Sequence, residues 1–365
     1  MKKIENLPVI AISTFGHCGI DWLHSLIDSH KQVLIIPPLS FFRKISILKK
    51  KRINLNNIED VKKITNIFLE KSDNKIGIKR NNILNHINNK SLFIKKINEF
   101  LLSKKKINIE KRLFLAIHYA YSKVKKINLN KIKVIVAHEH APWNCYEYDK
   151  YFNSKFIFMV RDPRATIAGS LRGFERHNNV PLSFPIDINL SFMFAASEFC
   201  KKMTKKKVLI LRNEDMVQNL KKQMKKVSKW INIKFNKSLL KQTFAGKAWF
   251  GESSYLGKGD LKKKRPKNYY KPKNIESRWR SFLDENTIFI IETIYEKLML
   301  QNKYKFDNKI NTFKRISGHL VILFKFNEFK NLLSFLNPNF IKNILRRSII
   351  IFYPSLSRKI FNVAL

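Results

Sequence analysis

Short apolar runs rich in β-branched or aromatic residues recur along this chain, each followed by a stretch whose apolar residues return every three or four positions. The runs are Val9-Ile10-Ala11-Ile12, Val33-Leu34-Ile35-Ile36, Val134-Ile135-Val136-Ala137, Phe156-Ile157-Phe158-Met159-Val160 and Val208-Leu209-Ile210-Leu211. Their length and composition predict buried strands. After the first run, Leu23, Leu26 and Ile27 fall at i, i+3 and i+4, the stripe of a helix packed on a sheet. Further helices are predicted over about 143–152 and 165–174, after Asn213-Glu214-Asp215 as far as Trp230, and over 278–300. Strands alternating with helices predict an α/β fold, a parallel β-sheet flanked by helices. Residues of about 40–128 are rich in Lys, Asn and Ile with helical spacing (Val61, Ile64, Ile67, Phe68), expected as an insertion of surface helices that shapes a substrate cleft. The main domain is expected over 1–306, and the basic, apolar residues 307–365 as a helical C-terminal extension.

In parallel sheets of this kind ligands sit at the carboxyl ends of the strands. The chemistry-bearing residues gather there: Phe15-Gly16-His17-Cys18-Gly19-Ile20 after the first strand, His138-Glu139-His140 after the third, Arg161-Asp162-Pro163-Arg164 after the fourth and Arg212 at the fifth. Two glycines three residues apart between a strand and a helix form a phosphate-sized turn. Glycine permits close backbone approach, and the first-turn N–H groups face an anion. The Lys-Ser/Thr of a nucleotide-triphosphatase loop is missing, which disfavours that class.

Charge sharpens the expectation of an anionic ligand. The 365 residues carry 72 Lys+Arg against 27 Asp+Glu, a formal net charge of +45. Such a field attracts nucleic acid, acidic lipid, acidic glycan or a phosphorylated cofactor. Much of it is also what solvated surface lysines give. No compact stretch interleaves aromatic and basic residues as a single-strand platform does, so no specific nucleic-acid partner is expected. Cys18, Cys145 and Cys200 stand far apart without a CxxC, so neither a disulfide framework nor a zinc site is suggested. A reducing compartment and a cytoplasmic location fit, with no secretory leader and no run of 18 apolar residues.

In their order and strand context these motifs resemble the sulfotransferases that use 3′-phosphoadenosine 5′-phosphosulfate (PAPS), over about residues 8–305. That family's strand–loop–helix reads Lys/Arg-Ser-Gly-Thr-Thr-Trp or Leu, where this chain has His17-Cys18-Gly19-Ile20-Asp21-Trp22. Phe156 to Arg164 is similar to its 3′-phosphate motif, Arg212-Asn213-Glu214-Asp215-Met216 to Arg-Tyr-Glu-Asp-Leu, and Arg278-Trp279-Arg280-Ser281-Phe282-Leu283 to its late tryptophan motif. The resemblance implies a P-loop-like α/β fold and transfer of a sulfuryl group from PAPS to a hydroxyl or amine, leaving adenosine 3′,5′-bisphosphate (PAP), with no metal. It implies that Gly16, His17, Cys18, Gly19, Ile20 and Asp21 wrap the 5′-phosphate and that Trp22 stacks on adenine. Arg161 pairs with the 3′-phosphate, helped by Ser170 beside Gly169, and Lys258-Gly259 forms a flap. Asn213 stands where the family has a base-contacting tyrosine.

The same resemblance places His140 in the slot of a histidine base, with Glu139 and His138 next in line. His17 stands where the family has a cation for the leaving oxygen. Two threonines that hold the 5′-phosphate are here Ile20 and Asp21. A carboxylate facing a phosphate is unfavourable, so either Asp21 turns away as a helix cap or PAPS binds weakly. The acceptor is unassigned, with a carbohydrate or lipid-linked glycan among the candidates. Residues 318–365 interleave apolar clusters with Lys325, Lys330, Arg346 and Arg347, the pattern of a helix on an anionic membrane surface. Packing of the same helices on the main domain is the alternative. The competing reading of the whole chain is a noncatalytic polyanion- or membrane-binding protein on the same fold.

Overall fold

The computed structural model describes residues 2–39, 41–42, 44–45, 86–104, 106–175, 183–249 and 278–309 with positions 311 and 345, the side chains of 172–188 excepted. Five strands form one parallel sheet: β1 (Val9–Thr14), β2 (Val33–Ile35), β3 (Val134–His138), β4 (Lys155–Val160) and β5 (Val208–Arg212). Their spatial order is β2-β3-β1-β4-β5. All five apolar runs are therefore strands. Those of β1 to β3 are buried throughout, as expected for strands covered on both faces.

The register decides where the strand ends fall. Ile12 pairs with His138, Thr14 with Met159 and Val160 with Arg212. Counting on from those pairs, Gly16 and Arg161 leave the sheet at one level, with His140 and Arg212 on the same edge. The helix Ile20–Ile27 returns from the β1 loop and buries Ile20, Leu23, Leu26 and Ile27. The helices Cys145–Phe152, Pro163–Glu175 and Ser183–Lys202 follow at the predicted places or between them. The segment after β5 is two helices, Asn213–Gln218 and Leu220–Trp230, because Asn219 breaks the first and caps the second.

The 40–128 insertion departs from expectation. Its described part holds the helices Lys90–Ser103 and Ile109–Val124. The second is not a surface helix, since every residue from Arg112 to Ser122 is buried. Phe114 meets Phe41, Tyr148 and Phe152, so this helix is wedged against the helix Cys145–Phe152 as part of the core. Residues 46–85, residues 250–277 and nearly all of 310–365 lie outside the described residues.

The main body also runs past residue 306. Glu292, fully buried on the helix Glu285–Ile294, accepts the backbone N–H groups of Asp307 and Asn308 at 2.8 and 2.9 Å. Arg164 joins the same knot. Its guanidinium reaches Asp162 at 2.7 Å, Glu292 at 2.6 Å, Asp307 at 3.3 Å and the Lys305 carbonyl at 2.8 Å, and stacks 4.2 Å from the Trp279 ring centre. A buried guanidinium is tolerated because its donors are met by carboxylates and a carbonyl.

Candidate active site

The β1 loop is shaped by two left-handed glycines. Gly16 has φ +124° and Gly19 φ +90°. A Cβ on Gly16 would lie 2.6 Å from Asn189 Oδ1, and one on Gly19 would lie 2.5 Å from Asn213 Nδ2. Both therefore serve conformation and close approach together. Thr14 Oγ1 and the Gly16 backbone bond to each other, the Cys18 N–H donates to Gly16 O at 2.8 Å, and Asn213 Nδ2 donates to Cys18 O at 3.0 Å. Gly19 then starts the helix Ile20–Ile27, whose first-turn N–H groups have no acceptor within the helix. These bonds shape a cradle whose first-turn N–H groups suit an anion. Burial pushes the Cys18 thiol up to about 11, so it stays protonated there.

Asp21 turns away from that cradle without acting as its cap, since Gly19 takes the cap position. Its Oδ1 faces two imidazoles, 3.7 Å from His138 Nε2 and 3.8 Å from His140 Nε2. Behind them His138 Nδ1 lies 3.2 Å from Nδ1 of the buried His24. Two residues apart at a strand end, His138 and His140 lie with ring centres 4.5 Å apart and planes tilted by 57°. His24 escaped the sequence reading, although it lies three residues after Asp21 on the same helical face. Glu139 points the other way: it is fully buried and accepts the Ala141 N–H at 3.0 Å. It serves the turn after β3.

On the β4 side, Arg161 and Arg164 divide their work. Arg164 faces inward into the knot described above, whereas Arg161 is part-exposed and its Nε meets no acceptor among the described residues. Glu214 fixes the backbone between them, accepting the Asp162 N–H at 2.9 Å and the Tyr304 hydroxyl at 3.0 Å. Desolvation raises the Glu214 pKa above its ordinary value. Gly169 and Ser170 are buried, and the Ser170 hydroxyl accepts Asn189 Nδ2 at 2.7 Å beneath Gly16. As it stands, Ser170 braces the loop and shows no surface to the cleft.

His17 stands at the mouth of the loop, exposed yet ringed by protein. Desolvation first, then the nearby His140 and Arg161, lower its pKa from 6.5 to about 4, against the opposite pull of Asp21. Water at the exposed ring offsets part of the desolvation, whereas the like charges act regardless, so the direction is down. At neutral pH this imidazole carries no charge. Trp22 is half-buried against the core, and Lys258 and Gly259 lie outside the described residues. Among the described residues, no helix is long and apolar enough to cross a membrane.

A sequence profile of the sulfotransferase family matches residues 18–237. No curated protein sequence matches the chain. Among solved structures it is similar to the sulfotransferase domain from the curacin biosynthetic pathway, at 13% identity and TM-score 0.49, covering 82% of this chain and 99% of that one. It is also similar to the sulfotransferase domain of the Synechococcus PCC 7002 olefin synthase, at 13% identity and TM-score 0.44, over 82% and 95% of the two chains. A mouse sulfotransferase complexed with PAP matches at 14% identity and TM-score 0.40, over 82% and 88%. These likenesses are remote. The profile spans more than half of the chain, and the chain belongs to the sulfotransferase family.

Proposed function

We propose that this protein transfers a sulfuryl group from PAPS to a hydroxyl or amine, with His140 as the base. The observation that carries the reading is the shared sheet edge, where the register brings the Gly16–Gly19 cradle, Arg161 and His140 together. PAPS would supply the sulfuryl group on a phosphate leaving group.

The loop N–H groups from Gly16 to Asp21 suit its 5′-phosphate. Arg161, the open guanidinium at the neighbouring strand end, suits the 3′-phosphate as a planar fork. The departure at Asp21 does not oppose this assignment, because its carboxylate is directed to the histidines. His140 Nε2 faces the cleft beside Asp21 and is part-exposed, so it can accept the acceptor's proton as the acceptor oxygen or nitrogen bonds to sulfur. The bond from sulfur to the bridging oxygen then breaks and its electron pair leaves with the phosphate. Positive charge near that oxygen favours the step, and His17 provides it once protonated.

The test is calorimetric titration with PAP. Arg161→Ala is expected to weaken binding by about 1.5–3 kcal/mol, the worth of a charge-assisted pair. Unchanged affinity would remove the nucleotide from this edge. Binding of PAP with no turnover on any hydroxyl or amine acceptor would favour the noncatalytic alternative. The expected membrane contact falls in 318–365, outside the described residues.

A further inference from the structure

Asp21, His138 and His140 offer one carboxylate oxygen and two imidazole nitrogens, all within 4.8 Å of one another. We propose that these three side chains bind a divalent transition-metal ion of the zinc class, held by His138 Nε2, His140 Nε2 and Asp21 Oδ1.

Three observations carry the inference. First, Asp21 Oδ1 is nearly equidistant from the two nitrogens, at 3.7 and 3.8 Å, and hydrogen-bonds to neither at those lengths. Ligand atoms around a tetrahedral ion with bonds of 2.0–2.1 Å stand about 3.3 Å apart, so closing the set takes roughly half an ångström at each Asp21 pair and at most about 1.5 Å between the two nitrogens, which lie within 4.8 Å of each other. Second, the ligand mixture is selective. Two imidazoles and one carboxylate suit zinc, cobalt or nickel, whereas magnesium and calcium prefer all-oxygen shells. Third, the outer partner is present. His138 Nδ1 lies 3.2 Å from His24 Nδ1, and the tautomer in which His138 donates its Nδ1–H to His24 is the one that turns the Nε2 lone pair toward the ion. Metal-bound histidines characteristically have such a partner, which fixes tautomer and ring orientation. The elements are rigid as well: His138 ends β3, and Asp21 and His24 sit on the first turns of one helix. The remaining coordination positions open on the cleft through the half-exposed Asp21 and His140.

Ion binding and proton acceptance compete for one lone pair on His140. Resting on the proposed base role, a bound ion holds the enzyme off.

The binding test is independent of that role. Tag-free full-length protein stripped with a chelator is titrated with Zn²⁺ alone by calorimetry, and with Co²⁺ alone by visible absorption. One equivalent is expected to bind, with d–d bands from Co²⁺. Asp21→Asn and His140→Ala, both at half-exposed positions, are expected to weaken Zn²⁺ at least tenfold with unchanged circular dichroism and melting. His24→Gln is expected to weaken it tenfold or more through His138. Absence of saturable binding by wild type would overturn the proposal, as would affinities within twofold of wild type in both the Asp21 and His140 variants. PAP affinity is measured on the same samples, so failure of the sulfuryl-transfer reading and failure of the metal site are told apart.

Discussion

The carboxylate of Asp21 faces the imidazole of His140 across 3.8 Å, and through this pair the helix after the β1 loop meets the segment that follows β3. On the proposed reading, this carboxylate attracts the positive charge that develops in the transition state as the acceptor loses its proton. Between half-exposed groups such an attraction is worth on the order of 1 kcal/mol. Asp21→Asn is therefore expected to lower kcat about fivefold while PAP affinity stays level or rises, since a carboxylate leaves the proposed phosphate site. His140→Ala is expected to abolish turnover with PAP affinity within twofold of wild type. Steady-state kinetics beside calorimetry reads both, and a His140→Ala enzyme that kept most of its rate would move the base elsewhere.

His17 ties nucleotide binding to pH. Its pKa in the free protein is lowered to about 4, and a phosphate dianion beside it favours the charged ring, raising the value in the complex. The complex then holds the proton more tightly than the free protein, so binding strengthens as pH falls toward 5. His17→Gln should lose this increment, leaving only the titration of the nucleotide itself. His17→Lys, with a permanent charge, should bind PAP about tenfold more tightly at pH 7.5. Titrations at pH 5.5 and 8 compare the three proteins, and identical slopes would detach His17 from the phosphate.

Gly19→Ala is expected to damage fold and site at once. The added Cβ meets a φ of +90° and the Asn213 amide at 2.5 Å, the same nitrogen that holds Cys18 O. A cost of about 2–3 kcal/mol follows from strain and the displaced hydrogen bond. Denaturant melts measure it, and loss of PAP binding should accompany it.

Acid should weaken the fold through His118. This ring is fully buried on the helix Ile109–Val124, donates Nδ1–H to Phe114 O at 2.8 Å and packs 4.1 Å from the Phe114 ring centre. Burial lowers its pKa to about 4, against 6.5 in an unfolded chain. Between those values the unfolded state binds the extra proton, so stability is full above about pH 6.5 and falls as pH drops toward 4. This one group accounts for on the order of 3 kcal/mol by pH 4. Denaturation of His118→Leu at pH 7 and 4.5 should show a smaller loss than wild type.

The sheet was legible because buried parallel strands must be continuously apolar, and their ends carry the polar chemistry. The buried helix was legible in part. Leu113 to Tyr121 contains a single strongly polar residue, His118, but the surrounding lysines and asparagines give the whole insertion a surface composition. The positions of the loop glycines and Arg161 could be read because each is local to one strand end. The meeting of Asp21 with His138, and of His138 with His24, could not. Those contacts join the turns of a helix to a strand more than 100 residues away, and only the register of β1 on β3 brings them together. The Ser170 contact is hidden for the same reason: its hydroxyl accepts from Asn189, nineteen residues on.

The knot at Arg164 has a consequence for how this protein can be cut. A chain ended at residue 304 would lack the Lys305 carbonyl and the Asp307 carboxylate, leaving the guanidinium with Asp162 and Glu292 alone. It would also strip Glu292 of the two backbone donors at Asp307 and Asn308. The disturbance would arise three residues from Arg161, so a shortened form could fail to bind nucleotide although every residue assigned to binding was retained. Expression of the catalytic unit by itself must therefore keep the chain through about residue 309.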